Sequence, residues 1–180
     1  MHHHRSPLRH PWILGLAALL ATSSCAGAND VSDGPFHWTI STVAEIDAPP
    51  ARVWSVLVDL PAYREWNPFI VEASGRVAVG ETLSLRMALP DRKPMTIKPR
   101  LLVVDAGREL RWKGRLVLPG LFDGEHSFVL EPLADGRTRL DHSERFFGLL
   151  LPIARRMIYD DTVQSFRALN EALARRAAGN

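Results

Sequence analysis

From Trp38 the chain alternates. Trp38, Ile40, Thr42, Ala44 and Ile46 stand against Thr39, Ser41, Val43 and Glu45. A two-residue period in β-forming side chains predicts a half-buried strand. Asp47-Ala48-Pro49-Pro50 stops it, and Val53, Trp54, Leu57 and Val58 then fall at helical spacing. That spacing predicts a short helix ending near Pro61, with a second helical turn over residues 62–66. Asn67-Pro68 breaks the turn and opens a strand over residues 69–75. Leu83, Leu85, Met87 and Leu89 alternate with polar or small residues, predicting another strand. Residues 95–104 predict the next, with Pro99 marking an edge or a bulge because it has no N–H to donate. Leu110, Trp112, Gly114 and Leu116 then share one face, and Arg111, Lys113 and Arg115 the other. After Gly148 the period lengthens: Ala154, Ile158, Thr162, Phe166, Leu169 and Leu173 form a stripe along a helix that starts at Pro152 and runs to about Ala177.

Residues 124–148 carry the most informative pattern. Two strands flank Ala134-Asp135-Gly136, and a three-residue loop sets His126 opposite Glu144, Phe128 opposite His142 and Leu130 opposite Leu140. These six share a face. The other face holds Glu125, Ser127, Glu131, Arg139, Asp141 and Arg145, as a solvated sheet surface with cross-strand ion pairs would. Two imidazoles and a carboxylate therefore point inward, where burial is costly unless they satisfy one another, water or a ligand. The long helix needs an apolar partner, and the sheet supplies it. The fold class expected is α+β, a curved antiparallel sheet of six to seven strands wrapped around a long C-terminal helix, with two short helices after strand one.

Length and leader shape the rest. A chain of 180 residues suits one domain with a real core. Arg5 and Arg9 precede an apolar run from Trp12 to Ala21, too short to span a bilayer comfortably, so residues 1–28 are expected to be an export signal. Two processing routes stay open: lipidation of Cys25, the only cysteine, or cleavage after Ala28. Thr22 stands where lipoprotein signals usually carry leucine. The expected location is the periplasm or cell envelope, with membrane attachment where Cys25 is lipidated. Residues 29–35 are expected to be a tether, and residues 36–178 the domain. Removing Arg5 and Arg9 with the signal leaves 20 basic against 20 acidic residues, so the excess positive charge that nucleic-acid binding needs is absent.

Taken in order, Ile46-Asp47-Ala48-Pro49-Pro50-Ala51-Arg52-Val53-Trp54, Leu57, Asp59, Tyr63, Trp66-Asn67-Pro68-Phe69, Gly80 and Gly136-Arg137-Thr138 resemble the helix-grip (SRPBCC) superfamily. That superfamily includes START-related lipid-transfer domains, pollen-allergen-like proteins and bacterial polyketide cyclase/dehydrase-like domains. Gly124-Glu125-His126-x-Phe128 and His142-x-Glu144-x-Phe146-x-Gly148 resemble one bacterial subgroup. The resemblance implies a cavity between sheet and long helix that accepts an apolar or amphipathic small molecule, with no cofactor. Such folds host binding, transport and several chemistries, so a fold resemblance does not choose among them.

His126, His142 and Glu144 are candidates for the polar end of that cavity, set against a self-satisfied buried cluster that holds the hairpin register. A catalytic reading would use a histidine as general base in a cyclase or dehydratase, but no independent nucleophile or oxyanion site accompanies it. Two histidines and a carboxylate are also an iron ligand set, yet they occupy only two neighbouring strands, and no metal site is expected. Through the resemblance, Trp66, Phe69, Leu85, Met87, Trp112, Phe128 and Phe146 are candidate cavity-lining residues beside their plainer role as core. Binding of an apolar small molecule or lipid without transformation is the function expected, a cyclase or dehydratase the alternative.

Overall fold

The computed structural model describes residues 29–88, 93–116 and 118–179. The expected signal and Cys25 lie outside them. Strands β1 (Asn29–Gly34) and β2 (His37–Ile46) lead into helix α1 (Pro50–Val58), a 3₁₀ turn (Leu60–Ala62) and α2 (Tyr63–Trp66). Then come β3 (Ile70–Ser74), β4 (Ser84–Met87), β5 (Met95–Ile97), β6 (Arg100–Asp105), β7 (Glu109–Leu116), β8 (Phe122–Pro132) and β9 (Thr138–Phe147). Helix α3 (Leu151–Ala178) closes the chain. All pairings are antiparallel, in a six-stranded sheet ordered β1-β2-β9-β8-β7-β6 and a three-stranded sheet ordered β3-β4-β5. The architecture is the expected α+β helix grip.

Two differences raise the strand number above six or seven. The segment expected as a tether pairs with β2 as edge strand β1. The strand expected over residues 95–104 is divided at Lys98-Pro99: β5 pairs with β4, whereas β6 pairs with β7. Proline removes the N–H that would continue a single ladder, so the strand changes neighbour there. The two sheets remain joined, because Leu83 N–H donates to the Pro99 carbonyl at 2.9 Å and Leu101 N–H to that of Glu81 at 2.8 Å.

The hairpin has the register that alternation predicts, with His126 opposite Glu144, Phe128 opposite His142 and Leu130 opposite Leu140. Its turn closes through Leu133 N–H to the Arg137 carbonyl at 2.8 Å, and Gly136 takes the left-handed backbone such a loop requires, φ 85°. Pairing on to β2 and β7 lays the inward side chains in rows. One row is Trp38, Phe146, Gly124 and Gly114; the next is Ile40, Glu144, His126 and Trp112; the next is Thr42, His142, Phe128 and Leu110.

Helix α3 lies across these rows with Phe166, Leu169 and Leu173 fully buried. Arg52 of α1 donates to the carbonyls of Ala177 and Arg176, satisfying C-terminal groups that have no partner within a helix. Asn67 explains the break before β3: its Oδ1 accepts from the N–H groups of Phe69 and Ile70 at 2.9 and 2.8 Å. Tyr63 donates to the Leu57 carbonyl at 2.7 Å, and its burial, with Asp59 nearby, pushes the phenol up.

At the other end of the sheet, Gly148 makes the turn from β9 into α3. Its φ of 144° is a glycine conformation, and an added Cβ would collide with the backbone carbonyl of Leu121, which cannot swing aside as a side chain can. Gly148→Ala is therefore expected to lower unfolding free energy by about 2–4 kcal/mol. Urea unfolding of the variant checks this, and a loss below about 0.5 kcal/mol would show that the turn relaxes.

Candidate ligand cavity and its polar wall

Four of the candidate lining residues, Phe69, Met87, Glu144 and Phe146, surround a cavity of about 390 Å³ between the sheet and the first half of α3. Met95, Ile97, Leu116, Phe122, Leu150 and Ala154 complete its apolar wall, and Thr162 and Arg115 add polar groups. The space exists because of a missing pair of side chains. Gly114 and Gly124 face each other in register across β7 and β8, and both line the cavity. A Cβ on Gly124 would collide with Oε1 of Glu144, so that glycine is what lets the carboxylate lie over the sheet.

The other candidates sit elsewhere. Leu85, Trp112 and Phe128 are buried core side chains outside the cavity wall. Trp66 lies against a separate surface depression with Arg52, Asp59 and Arg176, its ring edge-on to Tyr63 at 5.0 Å. His126 and His142 are buried behind Glu144. His126 stacks on Trp112 at 4.7 Å, and His142 is held between Phe128 at 4.4 Å and Phe166 at 4.0 Å. Of the three polar candidates, Glu144 alone lines the cavity, and its side chain is 19% exposed.

A line of hydrogen bonds runs back from it through the core. Glu144 Oε2 lies 3.3 Å from His126 Nδ1, His126 Nε2 lies 2.8 Å from His142 Nε2, and His142 Nδ1 lies 2.7 Å from Asn170 Oδ1. Asn170 Nδ2 donates to Thr42 Oγ1 at 3.0 Å, and Thr42 Oγ1 donates to the His142 carbonyl at 3.2 Å. Sequence reasoning placed Thr42 on the inner face and passed over Asn170. The signal was a polar amide in the apolar stripe of the helix, four residues after Phe166 and beside Leu169.

The direction of every proton follows from the carbonyl that ends the line. A carbonyl only accepts, so the Thr42 hydroxyl proton is committed to it and Thr42 must accept from Asn170. The amide therefore turns its oxygen to His142, whose Nδ1 must carry a proton. Burial pushes His142 well below its usual range, and the neighbouring His126 adds to the shift, so the ring is neutral with a lone pair on Nε2. His126 consequently donates from Nε2. The remaining contact, His126 Nδ1 to Glu144 Oε2 at 3.3 Å, ties the carboxylate to the held ring. Both nitrogens of each histidine are taken by protein partners. Among the described residues, no group of three or more His, Cys, Asp or Glu side chains is placed to hold a metal ion.

Because the unfolded chain titrates His142 near pH 6.5 while the folded chain keeps it neutral to lower pH, the unfolded state gains a proton as pH falls. Stability owed to this group is complete above about pH 6.5 and lost below it, at about 1.4 kcal/mol per pH unit. Urea unfolding should lose about 1.4 kcal/mol in all between about pH 7.5 and 5.5, with a slope that steepens toward the acid end, and His142→Phe, which keeps a ring between Phe128 and Phe166, should lack it. An unchanged slope in the variant would assign the acid sensitivity to other groups.

Residues 37–178 match the protein family described as polyketide cyclase / dehydrase and lipid transport. No curated protein matches the chain in sequence. Among solved structures, the Zhui aromatase/cyclase from Streptomyces sp. R1128 is similar at a TM-score of 0.67 and 19% identity, over 79% of this chain and 94% of that one. Protein Ms6760 from Mycobacterium smegmatis is similar at 0.66 and 15% identity, over 87% and 99% of the two chains. The protein Ara h 8.0201 is similar at 0.61 and 17% identity, over 80% and 99%. At these identities the likenesses establish a shared fold, and with the family match over most of its length this chain belongs to the polyketide cyclase / dehydrase and lipid-transport family.

Proposed function

We propose that this domain binds an apolar small molecule or lipid in the cavity, with Glu144 as the fixture for one hydroxyl of the ligand. The carrying observation is a cavity of about 390 Å³, walled mainly by Phe, Met, Leu and Ile side chains, with one acidic group in its lining. That volume and composition suit small-molecule sites, in which a few placed polar groups orient an otherwise apolar ligand. Oε2 of Glu144 is engaged by His126, which leaves Oε1 as an acceptor that suits a ligand hydroxyl. Structural neighbours named as aromatase/cyclases are consistent with a small-molecule site in this fold.

A second reading rests on the same carboxylate. An enzyme of cyclase or dehydratase type would exchange a proton with substrate through Glu144, because the histidine nitrogens are already engaged. His126 would position the carboxylate, and His142 with Asn170 would fix the tautomer of His126.

Native mass spectrometry of gently purified protein should find the domain occupied, and thermal-shift assays with fatty acids, phospholipids and polyketides should find stabilising ligands. Glu144→Gln should weaken such a ligand roughly tenfold to a hundredfold, the worth of a hydrogen bond to a charged group. A domain repeatedly empty and indifferent to the panel would overturn the binding reading. Turnover that survives Glu144→Gln would overturn the catalytic one.

For location we propose export with lipidation at Cys25, on the strength of the apolar run and the small residues before that cysteine. Cys25→Ala should move the protein from the membrane to the soluble fraction of the cell envelope. Equal membrane association of both proteins would exclude the anchor.

A further inference from the structure

The cavity opens beside an apolar rim that is left uncovered among the described residues. Three turns meet there: Gly148 N–H donates to the Phe36 carbonyl, Leu149 N–H to that of Gly120, and Leu150 N–H to that of Leu121, all at 3.0–3.1 Å. Of eight exposed large hydrophobic residues among those described, six belong to these turns or the start of α3: Phe36, Leu118, Leu149, Leu150, Ile153 and Met157. Leu149, Ile153 and Met157 repeat every four residues, one position before Leu150 and Ala154, which line the cavity. At about 100° per residue, Ile153 and Met157 on α3 lie on the strip next to cavity-lining Ala154, and Leu149 and Leu150 sit in the turn just before the helix. Monomeric proteins rarely gather bare apolar side chains this way except at an interaction site.

Charge says what covers them. Residues 34–37, 113–122 and 147–157 contain Lys113, Arg115, Arg155 and Arg156 and no Asp or Glu. Lys113 faces buried Asp123 at 3.7 Å, and Arg155 lies over the Trp38 ring at 5.4 Å. Arg115 and Arg156 are exposed and, among the described residues, meet no carboxylate. A second copy of the chain is disfavoured, since a two-fold contact would set the exposed Arg115 and Arg156 against themselves. Leu, Ile, Met and Phe side chains flanked by unpaired arginines fit the acyl–headgroup boundary of an anionic membrane.

We propose that this rim docks the domain on an anionic lipid bilayer with the cavity mouth facing the membrane. Hydrophobic side chains enter the interface, Arg115 and Arg156 meet lipid phosphates, and an apolar ligand exchanges without crossing water. The proposal stands apart from the identity of the ligand and from any anchor at Cys25.

The test reads the rim itself, so that attachment through the N-terminal segment cannot imitate it. The full chain carrying Cys25→Ala receives a single cysteine, Ile153→Cys at the rim or Ala134→Cys in the β8–β9 turn at the far end of the sheet. Each is labelled with a polarity-sensitive dye. With vesicles of phosphatidylglycerol and phosphatidylcholine, the dye at position 153 should shift to the blue and be quenched by bromolipids, while the dye at 134 stays aqueous. Adding Arg115→Gln and Arg156→Gln should reduce the membrane-inserted population at 153 roughly thirtyfold, from about 1 kcal/mol per cation, with thermal unfolding unchanged. Aqueous emission at 153 on vesicle-bound protein, equal shifts at both positions, or a concentration-dependent shift without vesicles would each overturn the proposal, the last in favour of self-association.

Discussion

The hydrogen bond from His142 Nδ1 to Asn170 Oδ1, 2.7 Å long and fully buried, keys the long helix to the sheet. Apolar packing alone would let α3 slide along or rotate over the inner face, because contacts among Phe166, Leu169 and Leu173 and the strands are non-directional. A buried amide that must pair with one imidazole allows few such positions. Leaving either partner unpaired costs about 1–3 kcal/mol, comparable with a sizeable part of a domain's net stability. Thr42 ties the same amide to the next strand, so a single helical side chain spans β2 and β9.

That constraint sets the chemistry of the cavity although it lies outside the cavity wall. Asn170 decides which nitrogen of His142 is protonated; His142 decides which nitrogen of His126 donates; His126 then presents its other nitrogen to Glu144. Stability does not require this arrangement. Replacing buried polar groups by well-packed apolar ones of similar volume is often neutral or stabilising, and Phe128, Phe166 and Trp112 already supply the aromatic walls such a replacement would use. What the line adds is a carboxylate held by a fixed imidazole and facing a space that apolar side chains would otherwise fill. The glycines are part of the same arrangement, since Gly124 carries no Cβ in the place where Glu144 lies.

Much of this was legible in the sequence where one local rule acted alone. Strict alternation on both sides of a three-residue loop determined that His126 would oppose Glu144 and Phe128 would oppose His142, because a one-residue slip would turn every apolar side chain outward. The stripe from Ala154 to Leu173 determined the helix. What alternation does not encode is depth. His126, His142 and Glu144 share a face, yet two are buried under aromatic rings and one reaches the cavity. His126 and Glu144 even share a row, and they differ because the Glu144 side chain lies over Gly124 while His126 lies against Trp112 and Phe166. Met95 and Ile97 reached the cavity wall only through the exchange of strand partners at Pro99, a long-range pairing that composition does not specify. Asn170 was hidden for the opposite reason: its surroundings read as a helix stripe, and only the partner across the sheet gives its amide a purpose.

The positions of the polar groups give the cavity a direction. Arg115 is exposed and Glu144 mostly buried, and both border the same apolar space. A ligand with a single polar group gains more at Glu144, where water is largely excluded and a hydrogen bond is electrostatically stronger, than at a solvated arginine. Its apolar remainder is then left toward Leu116, Leu150 and Ala154, next to the uncovered side chains of the rim. An amphipathic ligand with an anionic group would be ordered the opposite way, since the deep carboxylate repels it and Arg115 attracts it. The same cavity therefore sorts ligands by where their charge lies.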